Sequence, residues 1–550
     1  MDRFFASYYR HRPVNATFIG RHDYDHRLPD FSDNGVGDTL AEMRELLEQA
    51  QEVDTASLTP MEALDFRLAQ GFLKIQLWEY QSEHFQRGNP SVYTGEAVFG
   101  VMALFLSTGA PLTERVEAAT KRMEDVSILL AQGRKNVTQA PLAWTERALR
   151  ECEGALVFLT EGIDLLIALH QLDAPPFKAA AGKAATAFYT FQTYLQSELC
   201  RRPTRRYACG EEALRRYLRE GHFLDIEADE IVRYAEGQRA EAARYLQQHA
   251  IDFGATEPHA VVSRLKDIHP TAEQYYARYQ ELWNRVRETA EAHDLLSWPD
   301  FPIRYVPRPA WTRAAAPHLY FLYYRSPAAF DRPSVHDYLV TPIEPTMRPD
   351  EKQQRLRATN DSVIKLNHVI HHGSIGHHVQ NGHAFRSASR IGQVAAVDCA
   401  ARIALFCGGT MAEGWACYAT DLMNECGMLT PLEQYAERGA RVRMCTRAVV
   451  DVRLHQGRFS LDQAAAYYEQ HAGMGREAAS REAVKNSMFP GAALIYLMGT
   501  DGIHQLRKEL ASRQGNDFTL RTFHDEFLSY GSIPVSLISA DMKRKLDHAQ

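Results

Sequence analysis

The stretch NHVIHHGSIGHHVQNGHAF, residues 367–385, decides how the rest of this 550-residue chain is read. Six of the 23 histidines fall there: His368, His371, His372, His377, His378 and His383. Even scattering puts fewer than one in so short a span. Imidazole is the commonest biological metal ligand, because the neutral ring binds through either nitrogen. Several imidazoles separated by apolar residues and glycines are poorly explained as a solvated helix face. They predict a metal site, with a packed, hydrogen-bonded histidine core as the alternative. On a straight helix, residues i and i+4 project side by side, which pairs His368 with His372. His371 and His378 share a face but lie two turns apart, about 10 Å along the axis. They meet one ion only if the backbone bends, and Gly373 and Gly376 offer a bend because glycine interrupts helices readily. The spacing leaves both ligand sets open.

Working outward, GGTMAEGWACYATDLMNECG (408–427) places Glu413 near the start of a helix. There it reads as a third ligand or as a carboxylate interacting with the helix dipole. From about 38 to 295 the pattern is helical, with apolar residues at three- and four-residue steps in TLAEMRELLEQAQEV, TERVEAATKRMEDVSILLAQ and EADEIVRYAEGQRAEAARYLQQHA. Short polar turns between long helices predict antiparallel packing. Ten of the 24 prolines then lie between Pro299 and Pro349, a density that prevents continuous helix. The runs HLYFLYY (318–324) and VHDYLV (335–340) predict short strands. After residue 350 the helical pattern returns. The expected architecture is mainly α and two-lobed. An N-terminal helical lobe covers 1–298, and a Pro/Tyr-rich segment over 299–349 forms a small antiparallel sheet beside a central cleft. A helical metal-site lobe covers 350–550.

Composition narrows the function classes. Basic residues number 62 and acidic residues 69, a net charge of −7, so no global basic field draws nucleic acid or anionic lipid. The arginines of CRRPTRRYACGEEALRRYLRE (200–220) are offset by nearby glutamates and read as a solvated turn and helix face. The longest apolar stretch, Ala97–Leu106, is far short of a membrane span. The start MDRFFASYYRHRPVN reads as unexported, and eight scattered cysteines with no CxxC pair read as buried thiols, so a cytoplasmic location is expected.

HHGSIGHHVQ (371–380) followed by EGWA (413–416) resembles a family hallmark, H-E-A-x-P-G-H-H-x-Q with E-G-W-A some forty residues later. The family is the bacterial group labelled domain of unknown function 885, similar to gluzincin-type zinc peptidases. The resemblance also covers PVNATFIGRHDYDHRLPDFS (13–32), RAVVDVRLH (447–455), PGAALIYLMG (490–499) and GSIPVSLI (531–538). It implies a gluzincin-like fold, with zinc on His371, one of His377 and His378, and Glu413. Arg447, Asp451 and His455 match as well, and their i, i+4, i+8 spacing puts them along one helix face. His455 and Arg447 are therefore candidate catalytic residues, with a buried ion pair as the alternative for Arg447 and Asp451. Tyr496 matches a tyrosine suited to stabilising an oxyanion, or to a core position. The departures are His372, where the family has glutamate, and Ile375, where it has proline. In a zinc peptidase that glutamate moves the proton of the attacking water, and losing such a group typically costs ~10²–10⁴ in rate.

Three functions follow as expectations. One is a hydrolase of an amide or ester bond, using water activated at one divalent metal, zinc first, with His372 as the substitute base. A second is a non-hydrolytic metalloenzyme (lyase, hydratase, isomerase or non-haem iron oxygenase) with iron or manganese at a multi-histidine site. The third is an inactive binding relative. The expected substrate is a small molecule or short peptide-like compound, with no nucleic-acid or membrane partner.

Overall fold

The computed structural model describes residues 1–106, 108–319, 328–394 and 408–549. These are mainly helical, with two two-stranded sheets among the described residues. The chain divides into two compact units, Met1–Cys209 with Arg308–Ser334, and Gly210–Pro307 with Val335–Gln550. The divisions expected at 298/299 and 349/350 do not coincide with these. Residues 210–298 group with the C-terminal part of the chain, and 308–334 return to the N-terminal part.

In the first unit, α1 (Leu112–Asn136) buries Ala119, Met123, Val126 and Leu130 at three- and four-residue steps. That stripe packs on α2 (Pro175–Ser197), whose facing residues include Ala180, Ala184 and Phe188. Arg122 of α1 is fully buried and gathers the N-terminal motif around its guanidinium. It donates to Thr17 Oγ1 (2.7 Å), Arg27 O (2.9 Å), Pro13 O (3.2 Å) and Tyr24 O (3.3 Å). His22 is clamped between two carboxylates, Nδ1 to Asp25 and Nε2 to Asp331, each at 2.7 Å. Those bonds raise its pKa to about 10. A two-residue pairing joins β1 (Ala140–Pro141) to β2 (Pro203–Thr204) in parallel.

In the second unit, α3 (Ala228–His249) packs along a later helix, and α4 (Tyr275–Ala292) precedes the sheet. Strands β3 (Ile303–Pro307) and β4 (His336–Val340) pair in register Ile303↔His336 to Pro307↔Val340. The pairing is parallel, which corrects the antiparallel expectation. Parallel strands need a long crossover, and residues 308–335 supply one by leaving for the first unit and coming back. VHDYLV is realised as β4, whereas residues 320–324 of HLYFLYY lie outside the described residues.

The helices that carry the site follow: α5 (His377–Ala384), α6 (Gly409–Glu425), α7 (Pro431–His455) and α8 (Ile495–Gln514). Helix α7 opens with Pro431 at its first position and a capping box in which Thr430 and Glu433 exchange bonds. Glu433 is also ion-paired with buried Lys365 and accepts from Ser362, which ties the histidine segment to α7. Tyr435 and Val442 of α7 join Ala242 and Leu246 of α3 in one buried cluster. Helices α6 and α8 meet backbone to backbone. A Cβ on Gly414 would lie 2.6 Å from Gly499 Cα, and one on Gly499 would lie 2.0 Å from Thr410 O.

No helix among the described residues is long and apolar enough to cross a membrane. The six described cysteines are free thiols; Cys152 and Cys445 are buried and the other four are partly exposed, while Cys399 and Cys407 lie outside the described residues.

Candidate metal centre

The histidine segment is not one straight helix. Val363–Gly373 is a π-helix, a form with i→i+5 hydrogen bonds that is rare and concentrated at functional sites. The chain then breaks over Ser374–Gly376 and restarts as α5 at His377. Both glycines are required by close approach. A Cβ on Gly376 would lie 2.0 Å from His371 O, and one on Gly373 would lie 2.2 Å from the Tyr305 hydroxyl. Two indoles hold the bend in place. Trp283 Nε1 donates to Gly373 O (2.9 Å) and Trp415 Nε1 to Ile375 O (2.8 Å). The tryptophan beside Glu413 thus anchors the loop that separates His371 from His377.

This bend brings together His371, His377 and Glu413. Glu413 Oε2 lies 3.4 Å from His371 Nε2 and 3.7 Å from His377 Nε2. Metal–nitrogen and metal–oxygen bonds near 2.1 Å, in tetrahedral geometry, set neighbouring donor atoms about 3.4 Å apart. The two observed distances fit a divalent ion without rearranging the backbone. His372 belongs to the same cluster, since His371, His372 and His377 each offer a nitrogen and these lie within 4.8 Å of one another. The ring of His372 stacks on that of His377 and meets His371 edge-on.

The remaining histidines of the segment have other partners. His378 is buried, stacks on Phe301 with centroids 4.7 Å apart, and donates from Nε2 to Phe301 O (2.6 Å). His383 donates to Ser297 O (2.9 Å). His368 bonds through Nδ1 to the Tyr338 hydroxyl (2.7 Å), and the same hydroxyl lies 3.4 Å from His372 Nδ1. Of the adjacent pair, His377 and not His378 faces Glu413.

Glu413 is aimed by its other oxygen, since Tyr496 donates to Oε1 at 2.9 Å. The Arg447 guanidinium lies over the Tyr496 ring, 5.0 Å from its centroid, and its Nε donates to Glu482 Oε1 (2.8 Å). Asp451 accepts the backbone N–H groups of Gly491, Ala493 and Leu494 at 2.8–3.0 Å, which pins the entry to α8 and so the place of Tyr496. Burial nonetheless raises the Asp451 pKa to about 7, against the pull of those three donors. His455 is fully buried and donates from Nε2 to Asn486 O (2.9 Å), with Asp451 Oδ1 at 3.7 Å. It is not among the groups that converge on Glu413.

Electrostatics divide the imidazoles. Burial lowers the pKa of His372 well below the usual range, and the neighbouring His371, His377 and His368 lower it further. Burial brings His377 to about 4, helped by His371 and opposed by Glu413. His368 and His378 also fall to about 4 by burial. At His371 burial lowers the pKa, but Cys417 and Glu413 outweigh it and bring the value to about 10. His372 and His377 are therefore held in the neutral form that a ligand or a base requires.

Known proteins add the following. The family model described as bacterial protein of unknown function (DUF885) matches residues 13–542. The chain belongs to that family. Its fold is shared with two solved structures. One is a presumed lipoprotein of unknown function from Shewanella oneidensis, 22% identical with a TM-score of 0.77, each chain covered to 98%. The other is a presumed lipoprotein from Colwellia psychrerythraea, 15% identical with a TM-score of 0.74, covering 99% of this chain and 98% of that one. No curated protein matches the sequence.

Several residues of this DUF885 site escape sequence reasoning. Tyr338 reaches the histidines from β4, across a crossover that no local pattern announces. Trp283 lies about ninety residues upstream of the carbonyl it holds. Cys417 had a weak signal, since it sits four residues after Glu413 on the same helix and faces His371.

Proposed function

We propose that this DUF885 protein is a metal-dependent enzyme, and that hydrolysis of an amide or ester bond in a small molecule or short peptide is its reaction. The observation that carries the proposal is the convergence of His371 Nε2 and His377 Nε2 on Glu413 Oε2 at spacings suited to one ion. In this reading His371, His377 and Glu413 hold a divalent metal, zinc first because its usual ligands are imidazole and carboxylate in tetrahedral array. Such an ion, when bound, supplies Lewis acidity and lowers the pKa of water. The resemblance of HHGSIGHHVQ and EGWA to gluzincin-type zinc peptidases supports the same reading, and a gluzincin-like two-lobed fold belongs to it.

The chain's own groups divide the remaining work. Tyr496 holds Glu413 Oε1 and leaves Oε2 toward the imidazoles. His372 stands where the resembled pattern has its glutamate and is assigned that proton-taking role; burial keeps its ring neutral and at the same time makes it a weaker base than a free imidazole. Tyr338 orients the His372 ring from its Nδ1 side. Arg447 supports the Tyr496 ring from above.

One observation favours a second reading. Three imidazole nitrogens lie within 4.8 Å of one another, so His372 also qualifies as a third nitrogen donor. Its use as a ligand removes the base and points to a non-hydrolytic reaction with iron or manganese.

Metal analysis of untagged protein, paired with ester and peptide hydrolysis by wild type and His372→Glu, tests both readings. Zinc near one per chain with hydrolysis in either form supports the hydrolase. Iron or manganese with no hydrolysis in both forms supports the second reading. Full metal retention in Glu413→Ala removes Glu413 from the ligand set and defeats the proposed site.

A further inference from the structure

His368 and His372 lie four residues apart on the π-helix Val363–Gly373, and each turns its Nδ1 toward the same phenol. The Tyr338 hydroxyl is 2.7 Å from His368 Nδ1 and 3.4 Å from His372 Nδ1. The sheet delivers that oxygen. In the register of β3 and β4, Tyr338 pairs with Tyr305, and the two ring centroids are 5.1 Å apart. Tyr305 is in turn 5.1 Å from Tyr279 of α4, whose ring stands 5.8 Å from that of His368. Tyr279 and Tyr338 are buried, so packing fixes where the hydroxyl sits.

Proton accounting then decides how the three groups bond. A phenol has one proton to donate and lone pairs with which to accept, and a neutral imidazole has one N–H and one bare nitrogen. Burial keeps both rings neutral. The two distances are unequal, and the difference places the phenol proton. A separation of 2.7 Å is usual for a bond donated by a hydroxyl, whereas 3.4 Å lies beyond the usual N–H···O range and marks a weak contact. The stronger bond holds the proton, so Tyr338 donates to His368 Nδ1. What it turns to His372 is a lone pair, and only a protonated Nδ1 meets a lone pair favourably. The Asn367 carbonyl, which can only accept, also draws on a ring N–H of His372. The reverse arrangement puts the His372 hydrogen on Nε2, where that nitrogen serves neither an ion nor the proton of a water.

We propose that His368, acting through the Tyr338 hydroxyl, is a positioning residue that fixes His372 in the Nδ1–H form and so makes Nε2 its working nitrogen. His368 thus has a task although it is not among the groups that converge on Glu413. This role deepens the proposed site and rests on His372 belonging to it. It does not depend on the reaction, because a base and a ligand both need a bare Nε2.

Nitrogen-15 NMR of the full-length protein, labelled at histidine, reads which ring nitrogen carries hydrogen. The His372 signals are those missing from His372→Gln. The measurement is made after chelator treatment, because an ion on Nε2 would itself enforce the Nδ1–H form. His372 is expected to favour Nδ1–H over Nε2–H by about tenfold, the scale of one hydrogen bond. Tyr338→Phe removes a single oxygen, and His368→Phe frees the hydroxyl proton to turn toward His372. Each is expected to bring the ratio to about one or below. Nε2–H in the wild type, or a ratio unchanged in either phenylalanine variant, overturns the proposal. Absence of hydrolysis removes the hydrolase reading instead, and a tenfold ratio that collapses in both variants still supports the role of His368.

Discussion

Glu413 uses its two oxygens for different tasks, and Tyr496 enforces the division. The carboxylate rotates freely about its last torsion unless one oxygen is held, and only a held carboxylate presents the other oxygen to both imidazoles. Tyr496→Phe therefore keeps the ring under Arg447 and removes the hold. Metal affinity is expected to fall about 10- to 100-fold, the usual effect of losing a group that orients a ligand. Competition with a chelator of known affinity measures it, and an unchanged affinity detaches Tyr496 from the site. At this scale the sequence revealed the residue types but not all of their directions. His377 and His378 are adjacent, so their side chains point about 100° apart on a helix. Which of them faces Glu413 depends on how α5 is rotated, and that is set by the bend and by the stacking surface of Phe301.

Between elements, the decisive contact has no side chains in it. Gly414 and Gly499 let α6 and α8 touch along their backbones, which is what brings Tyr496 within a hydrogen bond of Glu413. Gly414→Ala places a methyl group against Gly499 and pushes the helices apart. The expected outcome is a loss of about 1–3 kcal/mol in unfolding free energy, as for other overpacked contacts, together with weakened metal binding. Chemical denaturation and chelator competition report the two effects. A stable variant with intact metal binding shows that the helices do not need this approach. The helices themselves were legible from their three- and four-residue apolar steps. Strand direction was not, because alternation in VHDYLV is the same in either sense and only the route of residues 308–335 decides it.

Across the whole molecule, stability has a pH signature at His22. Its pKa rises from about 6.5 in the unfolded chain to about 10 when clamped by Asp25 and Asp331. A raised value means that the contribution is complete below about pH 6.5 and disappears as pH climbs toward 10. His22→Gln is expected to cost about 2 kcal/mol at pH 6, the scale of hydrogen bonds to charged groups, and little above pH 10. Thermal unfolding across that range checks it, and an equal cost at both ends rules out the charged form as the source. This clamp also shows why the division of the chain escaped sequence reasoning: Asp331 lies 309 positions from His22 and carries no local mark. The same return of residues 308–334 bears on biosynthesis. The N-terminal unit leaves the ribosome without its last segment, and His22 waits for Asp331 until some three hundred further residues are made. Strand β4, which brings Tyr338 to the histidines, follows within a few codons. Nascent chains truncated just before and just after this segment should therefore differ sharply in protease resistance, and neither unit can be expressed alone by cutting the gene once.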